Sequence, residues 1–293
     1  IINIILTKLY DEKFTKPEDI VNFRAGINEN SKEISDRIKA RFNETKKIYK
    51  DVLDDNDIIE LDEKSITYIV GELQNYCLLD CDRDVIGDAF EVFIHGALKG
   101  GQGQFFTPRN VVLTAIKIIN PNENDKIIDP ACGSGGFLVE ALRHVHKKIE
   151  DNGSKLGWPK SEIDAEKISK INSNFRGIER DGFLGKVAKA YMVLLGDGKS
   201  GVYPGEDSLN NPKDWSLKTR NGIQLNSFDL VLTNPPFGAK IKVEGEDKLK
   251  QYNLAYKFEK EKNNEWSKTN KIKSEEAPQV LFIDRCLQLL KDG

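Results

Sequence analysis

The chain has 293 residues, 39% hydrophobic and 31% charged, which supplies apolar side chains for one large core or two smaller ones. A formal net charge of −3 argues against a chain that grips nucleic acid by bulk positive charge, so any such surface is local or shared with a partner. No stretch is long and apolar enough to span a membrane, and the few scattered cysteines (Cys77, Cys81, Cys132, Cys286) suit a reducing compartment.

Residues 1–98 read as all-helical. Asn30 with Glu33 forms a capping box, followed by Ile34, Ile38, Phe42, Tyr49, Val52 and Leu53 near helical spacing. Ser65 is placed to cap a second helix bearing Ile66, Ile69, Val70 and Leu73, and a third carries Val85, Ile86, Ala89, Phe90, Phe93, Ile94 and Leu98. These helices read as a packing or docking domain. Cys77 and Cys81 lack a nearby Cys or His to complete a zinc set, and His144 and His146 fall on different sides of a helix, so no metal site is expected.

Gly100-Gly101-Gln102-Gly103-Gln104 reads as a hinge or mobile loop. Phe105 and Phe106 follow as candidates for a pocket mouth. Thr107 is a good N-cap with Pro108 at the first helical position, and the helix beyond buries Val111, Val112, Ala115, Ile116 and Ile119. Next comes a short strand, Lys126-Ile127-Ile128-Asp129. The small-residue loop Pro130-Ala131-Cys132-Gly133-Ser134-Gly135-Gly136 leads into a helix from Phe137. Glycines let backbone approach a ligand closely, and a helix start presents free N–H groups. No Lys-Ser/Thr follows, so this is not an NTPase phosphate loop, and the dinucleotide fingerprint fits poorly. An acidic strand end before such a loop suits a ligand carrying an amine or a sulfonium.

Residues 150–172 read as a polar, partly helical insertion. Phe175-Arg176-Gly177-Ile178-Glu179 is a second strand ending in an acid, where doubly wound folds hold ribose hydroxyls. Asp181 caps the next helix, and Val202-Tyr203 is a third strand. Asp207 sits where an adenine amine can be bound, though a turn aspartate bonding its own backbone fits almost as well. The run 228–233 is a fourth, buried strand. Asn234-Pro235-Pro236-Phe237 must leave the sheet, because successive prolines cannot continue a ladder. That sets an amide, two rigid carbonyls and an aromatic ring at the carboxyl end of a strand, where open α/β sheets bind ligands. Residues 238–276, rich in Lys, Glu and Asn, read as a solvated and weakly ordered loop. It leaves the strand-end motif directly and so could order over a bound partner, although a solvated spacer is the simpler reading. A last amphipathic helix carries Val280, Leu281, Ile283, Leu287 and Leu290.

Four blocks now stand in order: GQFFTPRNVV at 103–112, DPACGSGGFL at 129–138, GIER at 177–180 and LVLTNPPFG at 230–238. Together they resemble an S-adenosylmethionine-dependent adenine DNA methyltransferase of the gamma motif order. More narrowly, the chain resembles the modification (M) subunit of a type I restriction-modification system, over residues 80–293. The resemblance implies a doubly wound, Rossmann-like methyltransferase domain at 99–293, preceded by a helical domain at 1–98. The last strands of its sheet would lie beyond Gly293, so the sequence reads as a fragment. Carried over by position, Phe105, Thr107 and Pro108 resemble the block at the methionine end of the cofactor. Asp129, Ala131, Gly133, Ser134 and Gly135 resemble its cradle, Glu179 the ribose ligand and Asp207 the adenine contact. Asn234, Pro235, Pro236 and Phe237 resemble the catalytic motif.

The implied cofactor is S-adenosyl-L-methionine. The implied partners are double-stranded DNA, a specificity (S) subunit, a restriction (R) subunit and a second M subunit, in a prokaryotic cytoplasm. Three rivals remain: a fused, type II-like restriction-modification enzyme; a methyltransferase acting on RNA or on protein glutamine, since motif sharing on one fold does not fix the substrate; and a non-enzymatic binding module, against which intact Asp129, Glu179 and Asn234 argue.

Overall fold

The computed structural model describes residues 1–16, 18–50, 52–79, 107–195, 201–237, 241–262 and 264–292. The expected helix at 85–98, the glycine-rich hinge, Phe105, Phe106 and Cys81 lie outside them. The chain divides into two units, one holding 1–101 with 193–199 and the other 102–192 with 200–293. No described helix is long and apolar enough to cross a membrane.

In the first unit, α1 (Ile2–Phe14), α2 (Ser31–Ile48) and α3 (Glu63–Leu73) bury Ile4, Leu6, Ile34, Ile38, Phe42, Ile66 and Val70. The Asn30–Glu33 capping box is present in both directions. α3 is capped three residues before the expected position. Asp62 takes the N–H groups of Lys64 and Ser65, and Ser65 is the residue being capped. A carboxylate accepts two such bonds and also favours the helix dipole, so it outcompetes the nearby hydroxyl. Buried Asp11 ties α1 to α2 through Arg41 at 2.7 Å and accepts the Phe23 N–H at 2.7 Å.

The second unit is built on a parallel sheet of β1 (Ile127–Asp129), β2 (Phe175–Glu179), β3 (Val202–Pro204) and β4 (Leu230–Val231) in the order β3-β2-β1-β4. The chain steps outward from β1 to β3, then returns to the other side of β1. That reversal makes the β1/β4 crevice a topological switch point. β4 is shorter than the predicted 228–233. The run still bonds in register, with Leu230 N to Lys126 O and Leu232 N to Ile128 O, and Phe228 bridges in parallel to Leu290.

Alternation along β2 separates the faces. A Cβ on Gly177 would strike Leu138 and Cys132, so this face packs closely against the loop after β1 and α5 (Gly136–Lys155). Ile178 points the other way, into a cluster with Ile128, Trp215, Ile223, Phe228 and Leu289. The two faces take helices from different parts of the chain: α5 and α7 (Gly182–Leu195) on one, α10 (Pro278–Leu289) on the other. α4 (Arg109–Ile119) packs on α5, and Arg109 reaches Glu140 at 3.1 Å.

Two polar stretches are more ordered than their composition suggests. Residues 150–172 are the end of α5 followed by a regular helix, α6 (Lys160–Asn174), anchored by Ile163 and Ile171. Residues 241–276 form β5 (Val243–Glu244), α9 (Glu246–Leu249), β6 (Tyr256–Lys260), β7 (Trp266–Ile272) and β8 (Glu275–Glu276); between β3 and β4 lies α8 (Leu217–Gly222). The expected solvated loop is thus a pair of small antiparallel ribbons. Three fully buried anchors hold it: Leu249, Tyr252 and Ala255 pack with Leu209, Leu281 and Phe282. Arg285, fully buried, clamps the same region. Its guanidinium donates to Tyr252 Oη, Gln251 Oε1 and Asn210 O, and lies 5.6 Å from the Trp215 ring centroid.

Candidate active site

The loop after β1 requires its glycines. Gly133 has φ +54° and Gly135 has φ +91°, the left-handed region that costs other residues strain. A Cβ on Gly133 or Gly136 would meet nothing within 4 Å, so the backbone is open there to a close approach. Gly135 is the N-cap of α5, whose first N–H groups have no intrahelical acceptors.

Asp129 ends β1 beneath this loop, buried and accepting the Ala131 N–H at 3.0 Å. Burial raises its carboxyl to about 7; the Thr233 hydroxyl and the Ala131 N–H oppose the shift, and the Glu179 charge adds to it. The Thr233 oxygen is itself buried and makes no hydrogen bond of good geometry. Glu179 ends β2, half-buried. Its two oxygens accept the N–H groups of Gly133 (2.7 Å) and Asp181 (2.8 Å). Burial raises this carboxyl too, against those two bonds. Asp181 caps α7 as expected, accepting the Leu184 N–H at 2.9 Å. Two carboxylates with no described cation paired to them thus flank the glycine loop. Such a pair favours a ligand that brings positive charge or hydroxyl donors.

Asp207 behaves as the turn aspartate weighed from sequence. One oxygen accepts the Leu209 N–H at 2.9 Å, while the other is paired with Lys248 of α9 at 2.7 Å. Lys248 was not legible as a site residue, because an ion pair 41 residues apart leaves no local pattern.

At the end of β4, Asn234, Pro236 and Phe237 are exposed and Pro235 half-buried. The Asn234 amide nitrogen donates to the Thr107 hydroxyl at 2.9 Å, across 127 residues. Thr107 is therefore not the cap of α4. Pro108 holds the N-cap position, without a side-chain bond, and the helix begins at Arg109. The hydroxyl that local preference assigned to the helix end is occupied by a distant amide. The structure brings Asp129, Ala131, Gly133, Ser134, Gly135, Glu179 and Asn234 to the carboxyl edge of one sheet, with Thr107 bonded to Asn234. Phe105 lies outside the described residues. Among those residues, no group of three His, Cys, Asp or Glu side chains is arranged to hold a metal.

An open parallel sheet with a glycine loop and strand-end carboxylates at its switch point defines a doubly wound, Rossmann-like α/β domain. A family model described as N-6 DNA Methylase matches residues 81–293, and the chain belongs to that family. It is 30% identical over 183 residues to the Type I restriction enzyme StySPI methylase subunit of Salmonella potsdam, covering 60% of this chain and 32% of that protein. It is 28% identical to the Type II restriction enzyme and methyltransferase RM.BcgI of Heyndrickxia coagulans, covering 58% and 24%. The matched stretch spans a third or less of these relatives. A solved structure from a type I restriction-modification system shares the fold, with TM-score 0.58 and 19% identity, over 99% of this chain and 56% of that one.

Proposed function

We propose that this chain transfers a methyl group from S-adenosylmethionine to the exocyclic amine of adenine in DNA, as the modification subunit of a type I restriction-modification system. The observation that carries the reading is the meeting, on one sheet edge, of the Asp129–Gly136 loop and Glu179 with Asn234-Pro235-Pro236-Phe237. The residues fit the cofactor: open backbone at Gly133 and Gly136 for its carboxylate, Asp129 for its positive end and Glu179 for ribose hydroxyls. When bound, the cofactor supplies an electrophilic methyl on a sulfonium.

The chain's own residues prepare the amine. An adenine amine is a weak nucleophile because its lone pair is delocalised into the ring. Hydrogen bonds from its two N–H groups to Asn234 Oδ1 and the Pro235 carbonyl localise that pair and aim it. Catalysis is then positioning and electrostatics without a strong base. A base inside a duplex is out of reach, so it is extruded, and the exposed Phe237 ring, at 60% accessibility, is available to stack on it.

Residues 1–98 are our candidate for docking to a specificity subunit, with a second modification subunit and a restriction subunit completing the assembly. The test is mass-spectrometric detection of N6-methyladenine after incubating DNA and S-adenosylmethionine with the full-length protein and its co-expressed specificity subunit. Absence of the modified base removes the reading. Similarity to RM.BcgI supports a second one, a fused restriction-modification enzyme. Sequence-selective methylation by the full-length chain without a separate specificity subunit would favour it.

A further inference from the structure

The segment that follows Phe237 carries a second surface. In the β6–β7 hairpin, Phe258 pairs with Lys268 and Lys260 pairs with Trp266. Directly opposed residues share a face, as do residues two apart along a strand. Phe258, Lys260, Trp266 and Lys268 therefore form one patch in which aromatic and cation alternate. All four are exposed, Trp266 at 66% and Phe258 at 38%. Glu259, the acid between them, pairs with Ser267 on the opposite face. Residues 256–273 hold six lysines against three glutamates, a local positive excess in a chain of net charge −3.

Physical chemistry makes this an unusual way to spend side chains. A two-stranded hairpin solvated on both faces is marginal, and rings left in water add nothing to its stability. Yet this hairpin is firmly rooted. Lys268 donates to Asn253 Oδ1 at 2.6 Å and sits 4.7 Å from the Tyr256 ring centroid, and Lys273 N bonds to Ala255 O at 2.9 Å. Its root, Leu249-Tyr252-Ala255, belongs to a cluster against which Ala131 of the glycine loop is packed. The hairpin thus grows from a platform that includes the site's own loop.

We propose that this hairpin face is a contact surface for the double-stranded DNA flanking the target base. The proposal rests on the methyl-transfer reading for what the neighbouring site does, and on the patch itself for its chemistry. The lysines neutralise phosphates, and the two rings lie against sugars and base edges in the groove. Charge is what selects this partner: a cationic patch with no acid on its face is complementary to a polyanion.

The test is a fluorescence-anisotropy titration of a labelled duplex, across a salt series, with the full-length protein and its co-expressed specificity subunit. Wild type is compared with Trp266→Ala, Lys260→Gln and Lys260→Gln/Lys268→Gln. We expect the double lysine variant to lower the slope of log affinity against log salt by roughly 1.8, at about 0.9 per phosphate contact. Trp266→Ala should weaken binding by roughly 10-fold. Cofactor affinity should stay at its wild-type value, because none of these residues belongs to the site described above. Unchanged duplex affinity and salt slope in all variants would overturn the proposal. So would loss of specificity-subunit co-purification with duplex affinity intact, which would make the face a protein contact. Hairpin-dependent duplex binding by a protein that forms no N6-methyladenine would leave this surface standing and remove the methyl-transfer reading. Normal methylation with hairpin-independent binding would do the reverse.

Discussion

At the ends of β1 and β2 the site is built on two carboxyls capped by backbone N–H groups. Asp129 is buried, Glu179 is half-buried, and loop N–H groups already occupy oxygens of both. At the end of β4 it is neutral and open: Asn234 and Phe237 are exposed, and the amide is steadied by one bond to Thr107. The first half holds carboxyls at an electrostatic disadvantage, which a cationic, hydroxyl-bearing ligand relieves. The second half has no charge to offer and works through direction alone. On the proposed reading, binding and chemistry fall to different side chains, so the two should be separable by substitution.

The sharpest break is at Asn234. Asn234→Ala should lower the rate of methyl transfer by roughly 10²–10³-fold, the scale for losing one preorganised hydrogen-bonding group. Cofactor affinity, measured by calorimetric titration, should stay within about threefold of wild type. A comparable loss of affinity would show that the two halves are not separate.

The carboxyl half predicts a pH signature. With its carboxyl raised to about 7, Asp129 keeps in the folded chain a proton that the unfolded chain releases as pH rises through about 4. Stability from this group is therefore full at low pH and lost as pH rises toward 7. Asp129→Asn removes that cost, so relative to wild type the variant should gain on the order of 2–4 kcal/mol between pH 4.5 and pH 8, read from urea melts. The same variant should bind cofactor more weakly, with a larger deficit at pH 8 than at pH 6, because only the charged carboxylate attracts a cation. A pH-independent difference in stability would mean that Asp129 is charged in the fold.

The neutral half is probed through its support. Thr107→Val removes the acceptor of the Asn234 amide and frees the side chain to rotate. Methyl transfer should slow by roughly 10-fold at saturating cofactor, and Thr107→Ser should restore it, since misdirection of a reacting partner is costly in rate. A loss confined to cofactor affinity would place Thr107 wholly on the binding side.

The two halves were unequally legible in the sequence. The glycine loop was readable because its chemistry is local: two positive φ angles demand glycine, and a strand ending in an acid precedes them. The Asn-Pro-Pro-Phe exit was readable because proline cannot stay in a ladder. What was not readable depends on partners far along the chain. Thr107 looked like a helix cap until an amide 127 residues away claimed it. Residues 241–276 looked unstructured because their anchors, Leu249, Tyr252 and Ala255, are sparse in a polar run. The residues they pack on, Leu209 and Leu281, lie some distance away in sequence. α6 reads as a partly helical insertion because its apolar side is thin: of its three isoleucines only Ile163 and Ile171 are buried.

The smallest expected effect concerns Asp207, the acid in the turn three residues beyond β3. Asp207 is neither unpaired like Asp129 nor free to receive a ligand, because Lys248 holds one oxygen at 2.7 Å and the Leu209 N–H holds the other. If Asp207 receives the adenine amine of the cofactor, that amine must displace the Lys248 ammonium. Both groups are a fifth to a quarter exposed, so the pair is screened and worth roughly 1 kcal/mol or less. Lys248→Met keeps the length and apolar contacts of the side chain while removing its charge. Cofactor affinity should then rise by about two- to fivefold, the conversion of that energy, and the gain should shrink as salt is raised and the wild-type pair weakens. Calorimetric titration at low and high salt measures both. A fall in affinity would mean that the Lys248–Asp207 pair organises the site for binding, and that the adenine amine is held elsewhere.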